Sequence, residues 1–126
     1  MKERVSVLKG TTKRYKGNGR KLGYPTANIE THTELKDGVY FGYVDLKNFH
    51  NHPALIFVGI PTTVGDTERR VEAHLLDIVD KDYYDLPMTI TIHHFHRANI
   101  TFDSIDELMK YMKDDEQTAR TWFKTH

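Results

Sequence analysis

Residues 38–60 read GVYFGYVDLKNFHNHPALIFVGI, and this stretch decides the fold class. Its two halves, GVYFGYVDL (38–46) and ALIFVGI (54–60), are dense in valine, isoleucine, tyrosine and phenylalanine, which favour β-strands. Between them, Asn51-His52-Pro53 has the residue types of a turn. The stretch therefore predicts two strands joined by a turn at residues 51–53.

Four further strand candidates flank this stretch on both sides. They are ERVSVLKG (3–10), the segment after Pro25, RRVEAHLLDIV (69–79) and MTITIHHFH (88–96). In the first of them, Val5 and Val7 alternate with Ser6 and Leu8, the two-residue period of a strand. Six short strands with few helical interruptions favour an antiparallel barrel or sandwich.

The C-terminal end changes to a helical period. Ser104 and Glu107 have the spacing of a capping box. An apolar stripe follows at Ile105, Leu108, Met109 and Met112, and a second helical start at Asp114 would carry Ala119, Trp122 and Phe123 on one side. Such a stripe is typical of a helix packed against the body of its own domain rather than against a partner.

Composition sets the class of protein. A chain of 126 residues with 29% charged and 38% hydrophobic residues fits one globular domain, taken as residues 1–126. The 18 basic and 18 acidic residues balance, so no general attraction to nucleic acid or membrane is expected. The absence of cysteine excludes disulfides and thiolate metal sites, and no apolar run resembles a signal peptide or a membrane span. We expect a cytoplasmic protein.

A glycine-rich basic loop opens the stretch KGNGRKLGYPTANIE, residues 16–30. It is not a P-loop, because no Gly-Lys-Ser/Thr closes it. It is not a dinucleotide-binding fingerprint either, because Pro25 follows before a helix could begin. Glycines nevertheless let backbone N–H groups surround an anion, and the loop adds three cationic side chains, Lys16, Arg20 and Lys21. The spacing leaves two interpretations open, a phosphate-binding loop and a solvated hairpin.

Thr26 and Asn28 follow this loop at positions i and i+2, which point to the same face of a strand. Their neutral oxygens suit Mg²⁺, which takes its other ligands from water and phosphates. The alternative is a turn in which both side chains cap backbone groups.

Glu72 stands in a strand candidate on the same face as His74. Burial of a carboxylate is costly unless it is paired or has a chemical task, and we expect burial to raise its pKa towards the range of a general base. The alternative is a salt bridge to Arg69, Arg70 or Arg97. His94 and His96 share a face of their strand candidate, but no third ligand follows at a recognisable zinc spacing. We therefore expect His93, His94 and His96 to be structural histidines.

Taken in order, these motifs resemble the ATP-dependent riboflavin kinase (flavokinase) family over nearly the whole chain. The similar segments are GNGRKLGYPTANI, DGVYFGYV, VGIPTT, VEAHLLD, DKDYYDLPMTI and HRANITFDSIDEL. The resemblance implies a six-stranded antiparallel Greek-key barrel with a C-terminal helical segment. It also implies an enzyme that transfers the γ-phosphate of ATP to the ribityl 5′-hydroxyl of riboflavin, giving FMN and ADP.

The resemblance assigns roles to individual residues. Glu72 matches the catalytic glutamate, and Thr26 and Asn28 match the residues that hold Mg²⁺ and phosphate oxygens. The residues matching the ATP site are Gly19, Arg20, Thr26, Asn28, Leu75, Asp77 and Tyr84. The residues matching the flavin site are Arg97 and Phe102. We expect a monomer that uses ATP and riboflavin and has no nucleic-acid or membrane partner.

This chain departs from the family pattern at Tyr15, Asn18, Asp85 and the pair Ala98-Asn99. It has neither the length nor the His-x-Gly-His motif of the fused domain that turns FMN into FAD, so we expect FMN as the product. Two other functions remain open at this point. One is a catalytically inactive flavin-binding sensor or carrier. The other is a barrel that binds single-stranded nucleic acid through residues 13–21, Tyr15 and Tyr24.

Overall fold

A computed structural model describes residues 5–13, 26–60, 68–78 and 83–126. Within these ranges the chain forms six strands and one helix. The strands are β1 (Ser6–Lys13), β2 (Thr26–Ile29), β3 (Gly38–Leu46), β4 (Phe49–Gly59), β5 (Arg70–Leu75) and β6 (Pro87–Arg97), and the helix is α1 (Ile105–Thr125). In this part of the chain, no helix is both long and apolar enough to cross a membrane.

The strands close into a barrel in the order β1-β2-β5-β4-β3-β6. Every neighbouring pair is antiparallel. The predicted six-stranded antiparallel barrel with a C-terminal helical segment is confirmed. Closure leaves no free sheet edge, so the main polar features of the surface are side chains rather than unpaired backbone groups.

Alternation along each strand separates an inner from an outer set of side chains. The inner set forms the larger core and includes Ile29, Tyr40, Ile56, Val71 and Ile90. On the outside, helix α1 covers a second apolar cluster on β3 and β4, where Ala119, Trp122 and Phe123 pack against Val39, Phe41, Leu55 and Phe57. The outer face is therefore apolar under the helix and becomes polar beyond it, towards β5 and β2.

Two local predictions are wrong. The turn in the opening stretch lies at Lys47-Asn48 rather than at residues 51–53, because Leu46 pairs with Phe49 and β4 continues through Pro53. Proline is tolerated there because β5 joins β4 only from Ala54 onward, so Pro53 faces a single neighbouring strand.

The C-terminal segment is one continuous helix of 21 residues rather than two successive starts. The predicted cap is confirmed, since the N–H of Glu107 donates to Ser104 Oγ at 3.1 Å. Asp114 lies in the interior of this helix, where the backbone N–H groups bond to carbonyls of the preceding turn. The tendency of aspartate to start a helix therefore has no effect at this position. A single rigid helix can therefore contact widely separated parts of the barrel.

Candidate active site

The pairing of β2 with β5 brings four polar residues to one patch of the outer face. Asn28 lies directly opposite Glu72, and Thr26 lies directly opposite His74. Directly opposed residues of antiparallel strands point to the same side of the sheet, with Cβ atoms about 5 Å apart. The structure thus joins the two segments that the sequence marked separately, and we call these four residues the polar patch.

Asn28 contributes a buried side-chain oxygen to the polar patch. It is 8% exposed, and its Oδ1 atom is buried without a hydrogen bond to any residue that the structure describes. The turn interpretation of Thr26 and Asn28 is wrong, because both lie in β2. A buried amide oxygen without a partner costs about 1–3 kcal/mol, a cost that a ligand bound at this position would offset.

Glu72 is paired within its own strand. His74 Nε2 donates to Glu72 Oε1 at 2.8 Å, and both side chains are more than four-fifths buried. Two arginines proposed as alternative partners are bound elsewhere: Arg69 contacts Asp37, and Arg97 contacts Asp115. The pairing with His74 leaves Glu72 on the polar patch, facing the same side as Asn28.

The pKa of Glu72 moves in the direction opposite to the predicted one. Burial raises the pKa of this carboxyl and is the largest single influence. The hydrogen bond from His74, the charge of His74 and the charge of Arg70 together outweigh it, so the pKa lies below its ordinary value. Glu72 is therefore an ionised proton acceptor at neutral pH.

Of the other residues assigned to the nucleotide, Leu75 ends β5, and Asp77 and Tyr84 lie between β5 and β6. The side chain of Leu75 is buried in the barrel interior, so only its backbone can reach an external ligand. Asp77 lies in the turn after β5, and both of its carboxylate oxygens accept hydrogen bonds from Arg120 of α1 at 2.9 Å. This pairing lowers the pKa of Asp77, chiefly through the hydrogen bond from Arg120.

Tyr84 lies in a turn that is held against β1. The N–H groups of Asp85 and Leu86 donate to the carbonyl and hydroxyl oxygens of Thr12, at 2.8 and 2.9 Å. Asp85, a position where the sequence departs from the family pattern, has φ of 59°, in the left-handed region that aspartate tolerates better than most residues. Aspartate is therefore compatible with the conformation of this turn.

The residues assigned to the flavin, Arg97 and Phe102, meet around one tyrosine of helix α1. The Phe102 and Tyr111 rings are 4.7 Å apart, and the Arg97 guanidinium lies 5.6 Å from the Tyr111 ring. Asn99, two residues after Arg97, donates from Nδ2 to the carbonyl of Val58 at 2.9 Å. The segment after β6 is thus fixed to both the helix and β4.

A single row of side chains connects the polar patch to this aromatic cluster. In register across β2, β5, β4, β3 and β6, the row reads Asn28, Glu72, Phe57, Val39 and Arg97. Glu72 and Arg97 are three strand spacings apart, about 14 Å along the sheet. The two side chains between them, Phe57 and Val39, are apolar and belong to the cluster that α1 packs against.

The remaining predictions concern the glycine-rich loop and the histidines of β6. Gly19, Arg20, Tyr15 and Asn18 lie outside the described residues. His94 and His96 stack on Phe41, and His93 packs edge-on against Tyr43. Among the described ranges, no group of three histidine, cysteine, aspartate or glutamate side chains is placed to hold a metal ion.

Sequence reasoning missed Asp115 and Arg120, the helix residues that contact Arg97 and Asp77. Both stand within a charged stretch, KDDEQTAR, where single residues have no distinguishing pattern. The one available signal for Asp115 is that it lies at helical spacing from apolar positions that face the barrel. Using that signal requires knowing which face of the helix is covered.

These features define a β-barrel protein with a candidate small-molecule site on its outer face. A model of the Flavokinase family, described as riboflavin kinase, matches residues 2–123. The chain belongs to the riboflavin kinase family.

Individual relatives agree with this assignment. The chain is 33% identical over 119 residues to a trifunctional protein RibF/MnmA of Mycoplasmoides gallisepticum, covering 92% of this chain and 18% of that protein. It is 30% identical over 128 residues to a riboflavin kinase of Pyricularia oryzae, covering 83% of this chain and 64% of the relative. It thus spans less than two thirds of either relative.

The fold has a counterpart among solved structures. A riboflavin kinase from Trypanosoma brucei superposes with a TM-score of 0.72 at 22% sequence identity, covering 98% of this chain and 82% of that one. At this level of identity the likeness concerns the fold alone.

Proposed function

We propose that this chain is a riboflavin kinase that transfers the γ-phosphate of ATP to the 5′-hydroxyl of riboflavin, producing FMN and ADP. The observation that carries the proposal is the cross-strand pair of Asn28 and Glu72, an unpaired amide oxygen beside an ionised carboxylate. Membership of the riboflavin kinase family supports the same reaction.

The two substrates are assigned to opposite ends of the row of outer side chains. The ATP phosphates are assigned to the polar patch and the rest of the nucleotide to Leu75, Asp77 and Tyr84; Gly19 and Arg20, also assigned to ATP, lie outside the described residues. The flavin ring is assigned to Arg97 and Phe102, and the ribityl 5′-hydroxyl to Glu72. The separation of about 14 Å between Glu72 and Arg97 along the sheet supports an extended substrate that reaches both ends.

The donor set of the polar patch fits a magnesium ion. Asn28 Oδ1 is a buried neutral oxygen without a partner among the described residues, and the Thr26 hydroxyl is on the same face. Mg²⁺ prefers such oxygens together with phosphates and water, so Thr26 and Asn28 would hold it. When bound, the ion supplies neutralisation of the phosphate charge.

The reaction asks the chain mainly for positioning. Glu72 accepts the proton of the ribityl 5′-hydroxyl as that oxygen forms a bond to the γ-phosphorus, and the bond from the γ-phosphorus to the β-phosphate oxygen breaks to release ADP. Phosphoryl transfer has a loose transition state in most analyses, with little demand for a strong base. A carboxylate held ionised and oriented by His74 meets that demand despite its lowered pKa.

The remaining expectations are part of the same proposal. We infer that residues 1–126 act as one riboflavin kinase domain, as a monomer in the cytoplasm, without nucleic-acid or membrane partners. The balance of 18 basic and 18 acidic residues supports the absence of a nucleic-acid partner.

The test is product formation from riboflavin, ATP and Mg²⁺, followed by chromatography with fluorescence detection. We expect FMN and an equal amount of ADP, and loss of both when EDTA removes Mg²⁺. Riboflavin binding without any FMN would contradict the proposal and indicate an inactive flavin-binding module. Salt-sensitive binding of an oligonucleotide in place of riboflavin would indicate a nucleic-acid-binding barrel instead.

A further inference from the structure

A buried carboxylate stands in the middle of helix α1, on the side that faces the barrel. Asp115 is 5% exposed and is the one acidic residue among the buried positions of this helix. Its neighbour Asp114 is exposed. Burying a charge is costly unless the charge is paired, so the surroundings of Asp115 must offset that cost.

Arg97 and His96 supply the pairing. Arg97 donates from Nε to Asp115 Oδ1 at 2.9 Å and from a terminal nitrogen to Oδ2 at 2.7 Å, which is the two-pronged contact that guanidinium and carboxylate groups favour. His96 Nε2 donates to the same Oδ1 at 3.0 Å. Three donors from one strand end therefore converge on one carboxylate of the helix.

An irregularity in β6 makes this convergence possible. Val39 pairs with Arg97 and Tyr40 pairs with Phe95, so His96 is an extra residue in the strand. A bulge of this kind lets two consecutive side chains face the same side, where a regular strand would send them to opposite faces. His96 and Arg97 both reach the helix for this reason.

The same helix face also supports the guanidinium from the side. Tyr111 lies four residues before Asp115, the spacing at which helical side chains are neighbours, and its ring is 5.6 Å from the Arg97 guanidinium. The remaining terminal nitrogen donates to the carbonyl of Ala98 at 3.1 Å. Of the five N–H groups of the guanidinium, these bonds use three, and each terminal nitrogen keeps one that no described residue accepts.

We propose that Asp115 is a positioning residue for the flavin end of the site: it fixes Arg97 so that its two remaining N–H groups meet the flavin. This inference rests on the proposed function, because it takes Arg97 as a flavin contact. Asp115 itself is covered and acts only through Arg97. Without the carboxylate, the arginine side chain keeps its charge but loses the contact that sets the direction of its donors.

The experiment measures riboflavin binding by quenching of flavin fluorescence in the full chain. Asp115→Asn is expected to raise the riboflavin Kd at least tenfold, while the Kd of a non-hydrolysable ATP analogue with Mg²⁺ changes less than twofold. Asp114→Asn, the same substitution one residue earlier at an exposed site, is the matched control and should bind riboflavin like the wild type.

A double-mutant cycle separates positioning from simple stabilisation. If Asp115 acts through Arg97, riboflavin binding by Arg97→Ala and by Arg97→Ala with Asp115→Asn should be equally weak. Additive losses would overturn the proposal. So would a folded Asp115→Asn protein with the wild-type riboflavin Kd and only a lower unfolding temperature.

Asp115→Glu covers the case in which the asparagine variant does not fold. It keeps the charge beside Arg97 but moves the carboxylate by one methylene, so we expect a folded protein with a riboflavin Kd raised severalfold; an unchanged Kd would contradict the proposal. Because binding is measured, the test works even if the wild type makes no FMN, which would refute the proposed function alone. A wild type that binds no riboflavin would overturn both.

Discussion

Two buried side chains near opposite ends of the outer row, Asn28 and Asp115, differ in how their oxygens are satisfied. At the β2–β5 end, Asn28 keeps a buried oxygen without a partner in the described part of the chain. At the β6–α1 end, both oxygens of Asp115 are engaged by Arg97 and His96. Both ends lie on one face of one sheet, so burial alone does not account for the contrast.

The contrast indicates two different roles, ligand binding for Asn28 and structural support for Asp115. An unpaired buried oxygen lowers stability and is retained where a ligand completes it, whereas a fully paired carboxylate fixes the groups around it. We therefore expect substitution of Asn28 to reduce activity with little cost in stability. For substitution of Asp115 we expect stability and flavin binding to fall together.

The largest effect on stability should come from Asp115→Ala. Removing the carboxylate leaves the mostly buried Arg97 guanidinium without its charge partner, which costs about 3 kcal/mol in the free energy of unfolding. Urea titration followed by circular dichroism measures it, with Asp114→Ala as the control at an exposed position. A loss for Asp115→Ala no greater than that of the control would contradict the role of this carboxylate in holding the helix.

Asn28→Leu should show the reverse pattern. We expect kcat/KM to fall about 100-fold, because the substitution removes the amide oxygen proposed to hold Mg²⁺ beside the ATP phosphates. The free energy of unfolding should stay constant or rise by up to about 1 kcal/mol, because an unsatisfied buried group is replaced by an apolar one. Asn48→Ala, in the exposed turn after β3, controls for loss of an asparagine. A marked loss of stability in Asn28→Leu would remove the contrast between the two ends.

His74→Phe should move the acid limb of the pH profile. In the wild type the lowered pKa of Glu72 keeps the carboxylate ionised until the pH falls below the ordinary glutamate range. Without the hydrogen bond from His74, burial becomes dominant and raises that pKa, so kcat/KM should begin to fall at a higher pH. His50→Gln, at an exposed histidine, should leave the profile unchanged. An unshifted limb in His74→Phe would show that His74 does not control Glu72.

The smallest effect concerns the exposed pair of Asp77 and Arg120. The pKa of Asp77 is lowered, so its contribution to stability is present above the ordinary aspartate pKa and is lost as the pH falls through the lowered value. Because its side chain is 70% exposed, Asp77→Asn should cost only about 0.5 kcal/mol at neutral pH. The difference should vanish in acid, and a constant difference at all pH values would exclude the ion pair as its cause.

Much of this arrangement was predictable from local pattern. Alternation placed Glu72 and His74 on the face opposite Val71 and Ala73, and the i, i+2 rule placed Thr26 beside Asn28. These predictions rest on the geometry of a single strand, which neighbouring residues determine.

Features that depend on distant partners were not predictable. The register that sets Asn28 against Glu72 and the bulge at His96 arise from pairing between strands far apart in the sequence. The sign of the Glu72 pKa shift required the distance to His74. The turn after β3 was misplaced because Pro53 signals a turn locally, while the neighbouring strands accommodate it within β4.

The most direct test of the central claim is the rate of FMN formation by Glu72→Gln beside the wild type, with Glu30→Gln as a control at an exposed glutamate. The substitution keeps the size of the side chain but removes its capacity to accept a proton. We expect the turnover rate to fall about 100-fold or more, with riboflavin binding retained and the control unchanged. A Glu72→Gln variant that forms FMN at the wild-type rate would contradict the assignment of the polar patch as the catalytic site.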